Sequence, residues 1–327
     1  MKYLKQCSIG LLFTALLNVP TLVKAHDDGD YKVEKKKNYS KSYPLSGNDK
    51  IKLDNSFGEM KITTWDKNEV KVDIAITVRA NTEETAQKLL DNIKIQDGKE
   101  GNGVYFKTDI NNNKHWSNNH DNDDDDDDGD KKGKGKNYNT SMEINYTVYM
   151  PASSPIEASN SFGPMIVPDL NGAAEITSKF GSLTCGTLNN NKEISVEFGK
   201  ATIKHISGGE VSIKFSDAEI DKLSGEVKAS FEFSKGATIS IDNSLKSLEI
   251  KNSYSTVELE LSKDFSGDFD IKTSFGSFKN NTDFKITEDK DDDDEHGPKF
   301  DHRYSGKTGS GATRVKIKSS FGTTKIS

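Results

Sequence analysis

The four residues "NSFG" at 55–58 return letter for letter at 160–163, and "SSFG" stands at 319–322. Looser copies lie between them: "SKFG" at 178–181, "VEFG" at 196–199, "IKFS" at 213–216, "FEFS" at 231–234 and "TSFG" at 273–276. A catalytic motif is normally needed once per active site, so an aromatic followed by Gly or Ser at this frequency reads as a structural unit repeated along the chain. Taking Phe162, Phe180, Phe198, Phe215, Phe233, Tyr254 and Phe275 as markers, the steps are 18, 18, 17, 18, 21 and 21 residues. Regular steps in this range are the signature of a repeat architecture.

Within one unit the apolar positions alternate. After Phe162 come Met165, Val167, Leu170, Ala174 and Ile176; after Phe180 come Leu183, Cys185, Leu188, Ile194 and Val196; after Phe215 come Ala218, Ile220, Leu223, Val227, Ala229 and Phe231. Thr, Lys, Glu, Asp and Ser fill the gaps, and Gly-containing turns interrupt the runs. This is the period of a strand with one face buried, and no stripe of helical spacing survives the glycines. One unit alone could bury nothing. Stacked units would pair backbones about 4.8 Å apart and set like side chains over like. The expected fold is therefore mainly β: a parallel β-solenoid of roughly 18–21-residue coils. The marker aromatics Phe162, Phe180, Phe198, Phe215, Phe233, Tyr254 and Phe275 are expected to form an internal ladder, and the small residue after each to let the backbone turn, where a Cβ would crowd or φ must be positive. Cys185, at the offset shared by Val167 and Ile203, reads as a small buried hydrophobe.

The chain before the repeats differs. "VKVDIAITVRA" (70–80) is a longer strand, and "TEETAQKLLDNI" (82–93) is a helix with Thr82 as N-cap, Glu83 and Glu84 in its first turn, and Ala86, Leu89, Leu90 and Ile93 on one face. "VYFKTDI" (104–110) and "MEINYTVYMP" (142–151) give two further strands. An open solenoid end exposes apolar residues and unpaired edges, so this strand–helix–strand unit is expected to be an N-terminal cap. The domain reading is 1–25 as signal peptide, 26–47 as a polar segment, 48–158 as cap and 159–327 as repeats.

Residues 1–25 carry Lys2, Lys5, the apolar run "IGLLFTALL" and small residues at "VKA", the order of a secretory signal cleaved after Ala25. Cys7 precedes the apolar run and so is not a lipoprotein cysteine. Removing these residues takes three lysines and no acid, moving the formal charge from −7 to −10. An acidic chain has no electrostatic footing on nucleic acid. No later stretch reads as a transmembrane segment. Cys185 is then the one cysteine left, so no intrachain disulfide is expected. The hydrophobic fraction, 32%, is below the usual 45–50% or so, as a thin elongated core diluted by polar insertions would give.

Two such insertions, 111–139 and 288–303, have the composition of disordered acidic loops. Asp124, Asp126 and Asp128 precede Gly129 as in the opening of an EF-hand loop, but its twelfth position is Gly135, not Glu. These three, with Asp292 and Asp294, are candidates for weak calcium binding only; no cofactor is expected. His26, His115, His120, His296 and His302 lie in or beside the acidic stretches at spacings matching no established metal set.

The early "W…V.V" (Trp65, Val70, Val72), the helix, "Y.VYMP" (146–151), the successive "G.(apolar).(apolar)" units and the terminal "G.G…V.I.SSFG…I" (Gly309 to Ile326) together resemble a bacterial "putative adhesin" domain of unknown function with β-strand repeats. The resemblance covers most of 48–327, and the two Asp-rich insertions are not part of that pattern. It implies the fold and an envelope location and carries over no catalytic residue. The functional expectation is a non-enzymatic exported envelope or surface protein, adhesin-like, with an unknown protein or polysaccharide partner in the periplasm, at the cell surface or outside. The alternatives are a β-helical polysaccharide-active enzyme and a low-affinity divalent-cation-binding envelope protein. Residues 159–286 contain no Arg, their acids sit on outward positions beside Lys, and no Trp follows Trp116, which is poor material for a glycan-cleaving site.

Overall fold

The computed structural model describes residues 31–111, 139–289 and 300–327. The signal-like segment, the candidate metal ligands Asp124, Asp126, Asp128, Asp292 and Asp294, and His26, His115, His120 and His296 lie outside those residues.

The fold is mainly β, with 22 strands and one helix among the described residues. The strands join in one mixed sheet that contains long parallel runs and is not a closed barrel. The N-terminal elements are β1 (Val33–Pro44), β2 (Lys50–Ser56), β3 (Met60–Thr64), β4 (Glu69–Ala80), α1 (Glu83–Asn92), β5 (Ile93–Glu100), β6 (Gly103–Ile110) and β7 (Thr140–Met150). β4 runs antiparallel to both β1 and β7, and β5 to β6. In β4 the alternation Val70, Val72, Ile74, Ile76, Val78, Ala80 is wholly buried. Helix α1 starts where Thr82 Oγ1 accepts the Thr85 amide at 3.2 Å, and it buries Ala86 and Leu90. β1 was not legible: "EKKKNYSKSY" has no apolar alternation, and the strand is held by twelve backbone partners on β4 and by Tyr39 and Tyr43, whose hydroxyls both donate to Asp97.

The repeats follow as β8 (Ile156–Ser161), β9 (Met165–Val167), β10 (Ala174–Lys179), β11 (Ser182–Leu188), β12 (Asn191–Glu197), β13 (Lys200–Lys214), β14 (Asp217–Glu232), β15 (Ala237–Ser253) and β16 (Thr256–Glu260). Every pairing among them is parallel and in repeat register: Ala158 on Ile176, Ile176 on Ile194, Val196 on Ile213, Ile213 on Phe231, Ala229 on Ile250. Each unit supplies one strand stretch before its marker aromatic and another after it, so two parallel runs form. The "NSFG" unit of 50–64 joins both: β2 lies on β8 and β3 on β9, while β6 and β7 flank them on the other side.

The remaining strands are β17 (Gly267–Ser274), β18 (Ser277–Asn280), β19 (Ile286–Glu288), β20 (Asp301–Lys307), β21 (Thr313–Ser320) and β22 (Thr323–Ile326). Here chain order and spatial order part. β21 lies in parallel between β15 and β17, and β22 between β16 and β18. The last 21-residue step therefore does not join neighbours: the unit at 313–326 is inserted between the units of Tyr254 and Phe275. β20 covers the far edge of β17 antiparallel, and β19 pairs with it. The buried hydrophobic residues from Ile51 to Ile326 form one core cluster, mostly aliphatic, with Phe106, Tyr146, Phe231, Phe265 and Phe269 among them.

Candidate functional site

At the corner between the two runs, each unit places its marker aromatic. The residue two before it points inward: Val196 before Phe198 and Phe231 before Phe233 are fully buried. Strict alternation would point the aromatic inward as well, which is why an internal ladder was expected. The structure corrects this. Phe57, Phe162, Phe180, Phe198, Phe215, Phe233, Tyr254, Phe275 and Phe321 all have φ between 49° and 65°, the left-handed region, and that reversal of the backbone swings the side chain outward. Their rings are 37–54% exposed.

The rings stack on one another. In spatial order they run Phe57, Phe162, Phe180, Phe198, Phe215, Phe233, Tyr254, Phe321, Phe275 and Phe300, with centroid steps of 4.6–5.1 Å. The first eight steps are within 7° of parallel. The spacing is that of neighbouring strands, because each aromatic N–H donates into the next unit: Phe180 to Glu197 O at 2.9 Å, Phe198 to Lys214 O at 3.1 Å, Phe215 to Glu232 O at 2.9 Å. The seven aromatics read from the sequence are thus brought together. Phe57 and Phe321, visible as copies of the motif, join them, and Phe300, which no motif marks, ends the row. The result is an apolar stripe on the order of 45 Å long that shows water the ring edges, since the ring faces cover each other.

The Gly or Ser after each aromatic has a different reason from positive φ. A Cβ on Gly163, Gly181 or Gly199 would sit 2.1, 2.0 or 1.8 Å from the carbonyl oxygen of the equivalent glycine in the preceding unit. Where Ser stands instead, its hydroxyl works for the corner: Ser216 Oγ accepts the Gly199 amide at 2.9 Å, and Ser255 Oγ the Ser234 amide at 2.9 Å. Buried amides brace the row at its N-terminal end and beside the inserted unit. Asn160 Nδ2 donates to Gly58 O at 3.0 Å, and Asn252 Nδ2 to Ser255 O and Thr323 O, both at 3.2 Å. Just before the rings runs a polar border, Lys179 with Glu197 and Lys214 with Glu232, each pair at 3.4 Å. At the N-terminal end the stripe meets an open cleft of about 570 Å³ lined by Phe57, Phe162, Met142, Glu59 and Glu143.

Other chemistry-bearing residues are apart from the stripe. Cys185 is buried between Val167 and Ile203; burial first, then nearby Asp169, pushes its thiol up to about 12, so it is an unreactive thiol. His205 bonds Ser224 Oγ at 2.8 Å. Its pKa is held below the ordinary value, by burial first and then by Lys222. His302 Nδ1 lies 2.6 Å from Glu288 Oε1. Among the described residues no three His, Cys, Asp or Glu side chains gather as a metal site would need.

No protein-family model matches this sequence, and no curated protein does. Solved structures that align over most of the chain include a "putative adhesin" from Bacteroides fragilis, at 12% identity over 89% of this chain and 97% of that chain with a TM-score of 0.36. A "putative cell adhesion protein" from Clostridium sporogenes aligns at 13% over 89% and 99%, TM-score 0.26. A "putative adhesin" from Parabacteroides distasonis aligns at 9% over 89% and 97%, TM-score 0.33. At these scores the likeness carries no argument about the site.

Proposed function

We propose that the chain is an exported, non-enzymatic protein of the cell envelope or surface, an adhesin-like scaffold that binds its partner along the aromatic stripe. The parallel register of successive units supports reading the fold as a β-solenoid, with 159–327 as its coils, and with the 48–158 region, which holds α1 and β4 to β7, as its cap. Residues 1–25 are the signal that exports it, and residues 26–47 lead into the cap.

One observation carries this reading. Among the described residues nine non-glycine residues stand in the left-handed region, and each is an exposed aromatic. Gly or Asn would occupy that corner with less strain, by about 1 kcal/mol or more per residue. Long apolar stripes rimmed by polar residues mark interaction surfaces on soluble proteins. A rigid β scaffold also holds the stripe straight, so an extended partner can engage many rings with little ordering of the protein.

The test compares wild type with Phe180→Gly/Phe198→Gly/Phe215→Gly on an array of envelope proteins and polysaccharides. The variant should keep its far-ultraviolet β signal and lose retention. A folded variant retained as well as wild type would reject the stripe as the binding surface. Loss of the protein from intact cells on treatment with an external protease would distinguish the cell surface from the periplasm.

A further inference from the structure

The outward face of the run that precedes the rings is electrically divided. Toward the N-terminal units Glu157, Glu175, Glu193 and Glu210 stand side by side in register, the first two bridged by Lys50 at 2.8 and 3.1 Å. Toward the C-terminal units the row beside it is cationic. Lys251 pairs with Lys318, Lys318 with Lys272, and Lys272 with Arg303, on β15, β21, β17 and β20. All four are exposed. Arg303 is partly neutralised by Asp270 at 3.3 Å and Asp289 at 3.5 Å, whereas among the described residues none of the three lysines is in an ion pair.

Like charges directly opposite on neighbouring strands are unfavourable. Here three lysines stand at successive strands, about 4.8 Å apart, in a protein whose net charge is −7. The insertion of β21 creates the row: it brings Lys318 between Lys251 and Lys272. One step toward the corner lies a hydroxyl row, Ser253, Ser320 and Ser274, in the same register. One step further are the rings of Tyr254, Phe321, Phe275 and Phe300, exposing edges that carry the positive end of the ring quadrupole.

The geometry points to a subsite for a linear acidic polysaccharide, lying along the stack across these four strands. It rests on the binding-scaffold reading above and names its substrate class. The cation row takes successive carboxylates or sulfates, and the strand spacing is close to the advance of one sugar in an extended chain. The serines meet sugar hydroxyls, and the positive ring edges meet ring and hydroxyl oxygens. Beyond Lys251 the row continues through Ser230, Ser212 and Ser195, with Glu193 and Glu210 in the row beside it, so a long uniform polyanion such as nucleic acid would find no further cations along its path. An anionic membrane would meet serines and lysines standing beside half-sheltered rings and not a protruding apolar wedge. The site therefore favours a glycan.

Calorimetric titration with oligogalacturonate tests this, against its methyl-esterified form, single-stranded oligonucleotide and anionic lipid vesicles. Oligogalacturonate should bind, more weakly as salt rises, and at least tenfold more tightly than the esterified form. Lys251→Gln/Lys272→Gln/Lys318→Gln should lose at least tenfold, while Glu175→Gln/Glu193→Gln on the acidic half keeps wild-type affinity. The lysine variant should melt no lower than wild type because a like-charge row is relieved; if it does melt lower, Lys318→Gln alone, the central lysine, gives the deciding comparison. No binding of oligogalacturonate, equal binding of the esterified form, an undiminished lysine variant, or binding only to oligonucleotide or vesicles overturns the subsite. None of these outcomes bears on the ring-stripe variant and its array, which judge the scaffold reading separately.

Discussion

Replacing Phe198 by Ala and by Gly should give the reverse of the order seen on an ordinary strand. Phe198 sits at φ 55°, with Phe180 at 5.0 Å and Phe215 at 4.7 Å on its two faces, and is 44% exposed. Either substitution removes two stacking contacts, each about 0.5–1.5 kcal/mol, and roughly half of the 1.5–3 kcal/mol that full burial of such a side chain contributes. The alanine variant should thus lose about 2–4 kcal/mol, and it keeps a Cβ in the left-handed region. Glycine escapes that penalty, about 1–2 kcal/mol, and gives back about 0.5–1 kcal/mol in backbone entropy. Phe198→Gly should therefore be more stable than Phe198→Ala by roughly 0.5–1 kcal/mol. Thr202, outward on β13 in an extended stretch, is the control, and there Ala should exceed Gly. Urea unfolding followed by far-ultraviolet circular dichroism reads all four variants against wild type. If Ala equals or exceeds Gly at 198 while the control behaves, the corner is not strained, and the argument that the chain sustains strain to display its rings fails.

Three further outcomes follow from particular contacts. Gly181→Ala forces a Cβ to 2.0 Å from the Gly163 carbonyl oxygen, backbone against backbone, and should destabilise by roughly 1–3 kcal/mol or more; Gly236→Ala meets nothing within 4 Å and should be neutral or gain up to about 1 kcal/mol in thermal melts. Cys185 has a folded pKa raised from 9.0 to about 12, so its contribution is complete below pH 9 and drains away as pH rises toward 12; Cys185→Val, which matches its register partner Val167, should flatten that part of the stability–pH curve, and the native wild-type thiol should not react with a disulfide reagent at pH 8. Deleting 308–327 removes the strands between β15 and β17 and between β16 and β18, and limited proteolysis should then cut within 261–289 while 156–253 stays protected. Uniform protection of both segments would show that the inserted unit is not what holds the C-terminal end.

What the sequence disclosed and what it hid have one physical origin. Alternation and repeat spacing follow from side-chain parity, so Ile176 over Ile194 and Val196 over Ile213 could be read directly, and the 18-, 18-, 17- and 18-residue steps became parallel registers. Helix α1 was legible because Thr82 and the two glutamates after it are local signals. Parity fails at a residue with positive φ, and nothing in "VEFG" announces that the Phe, rather than the Gly beside it, takes that conformation. The buried and exposed readings of one ring row differ by that single dihedral. β1 escaped notice because a strand held by backbone pairing and two tyrosines needs no apolar rhythm.

The insertion of β21 was hidden for another reason: in a stack of near-identical units, any unit is a suitable neighbour for any other. Ile317 pairs with Ile250 and with Ile271, and Ile271 in direct contact with Ile250 would have satisfied the same core. The choice is decided instead by the crossing loops, where Thr308 Oγ1 donates to Phe265 O at 2.8 Å and accepts the Gly267 amide at 3.0 Å, and by Thr313 Oγ1 donating to Leu245 O at 2.7 Å. These contacts link residues 41 to 68 positions apart, far beyond any local signal. They also set Lys318 between Lys251 and Lys272. The basic row is thus a product of topology, assembled from lysines that are unremarkable in their own segments, and a reading confined to single repeats could not have found it.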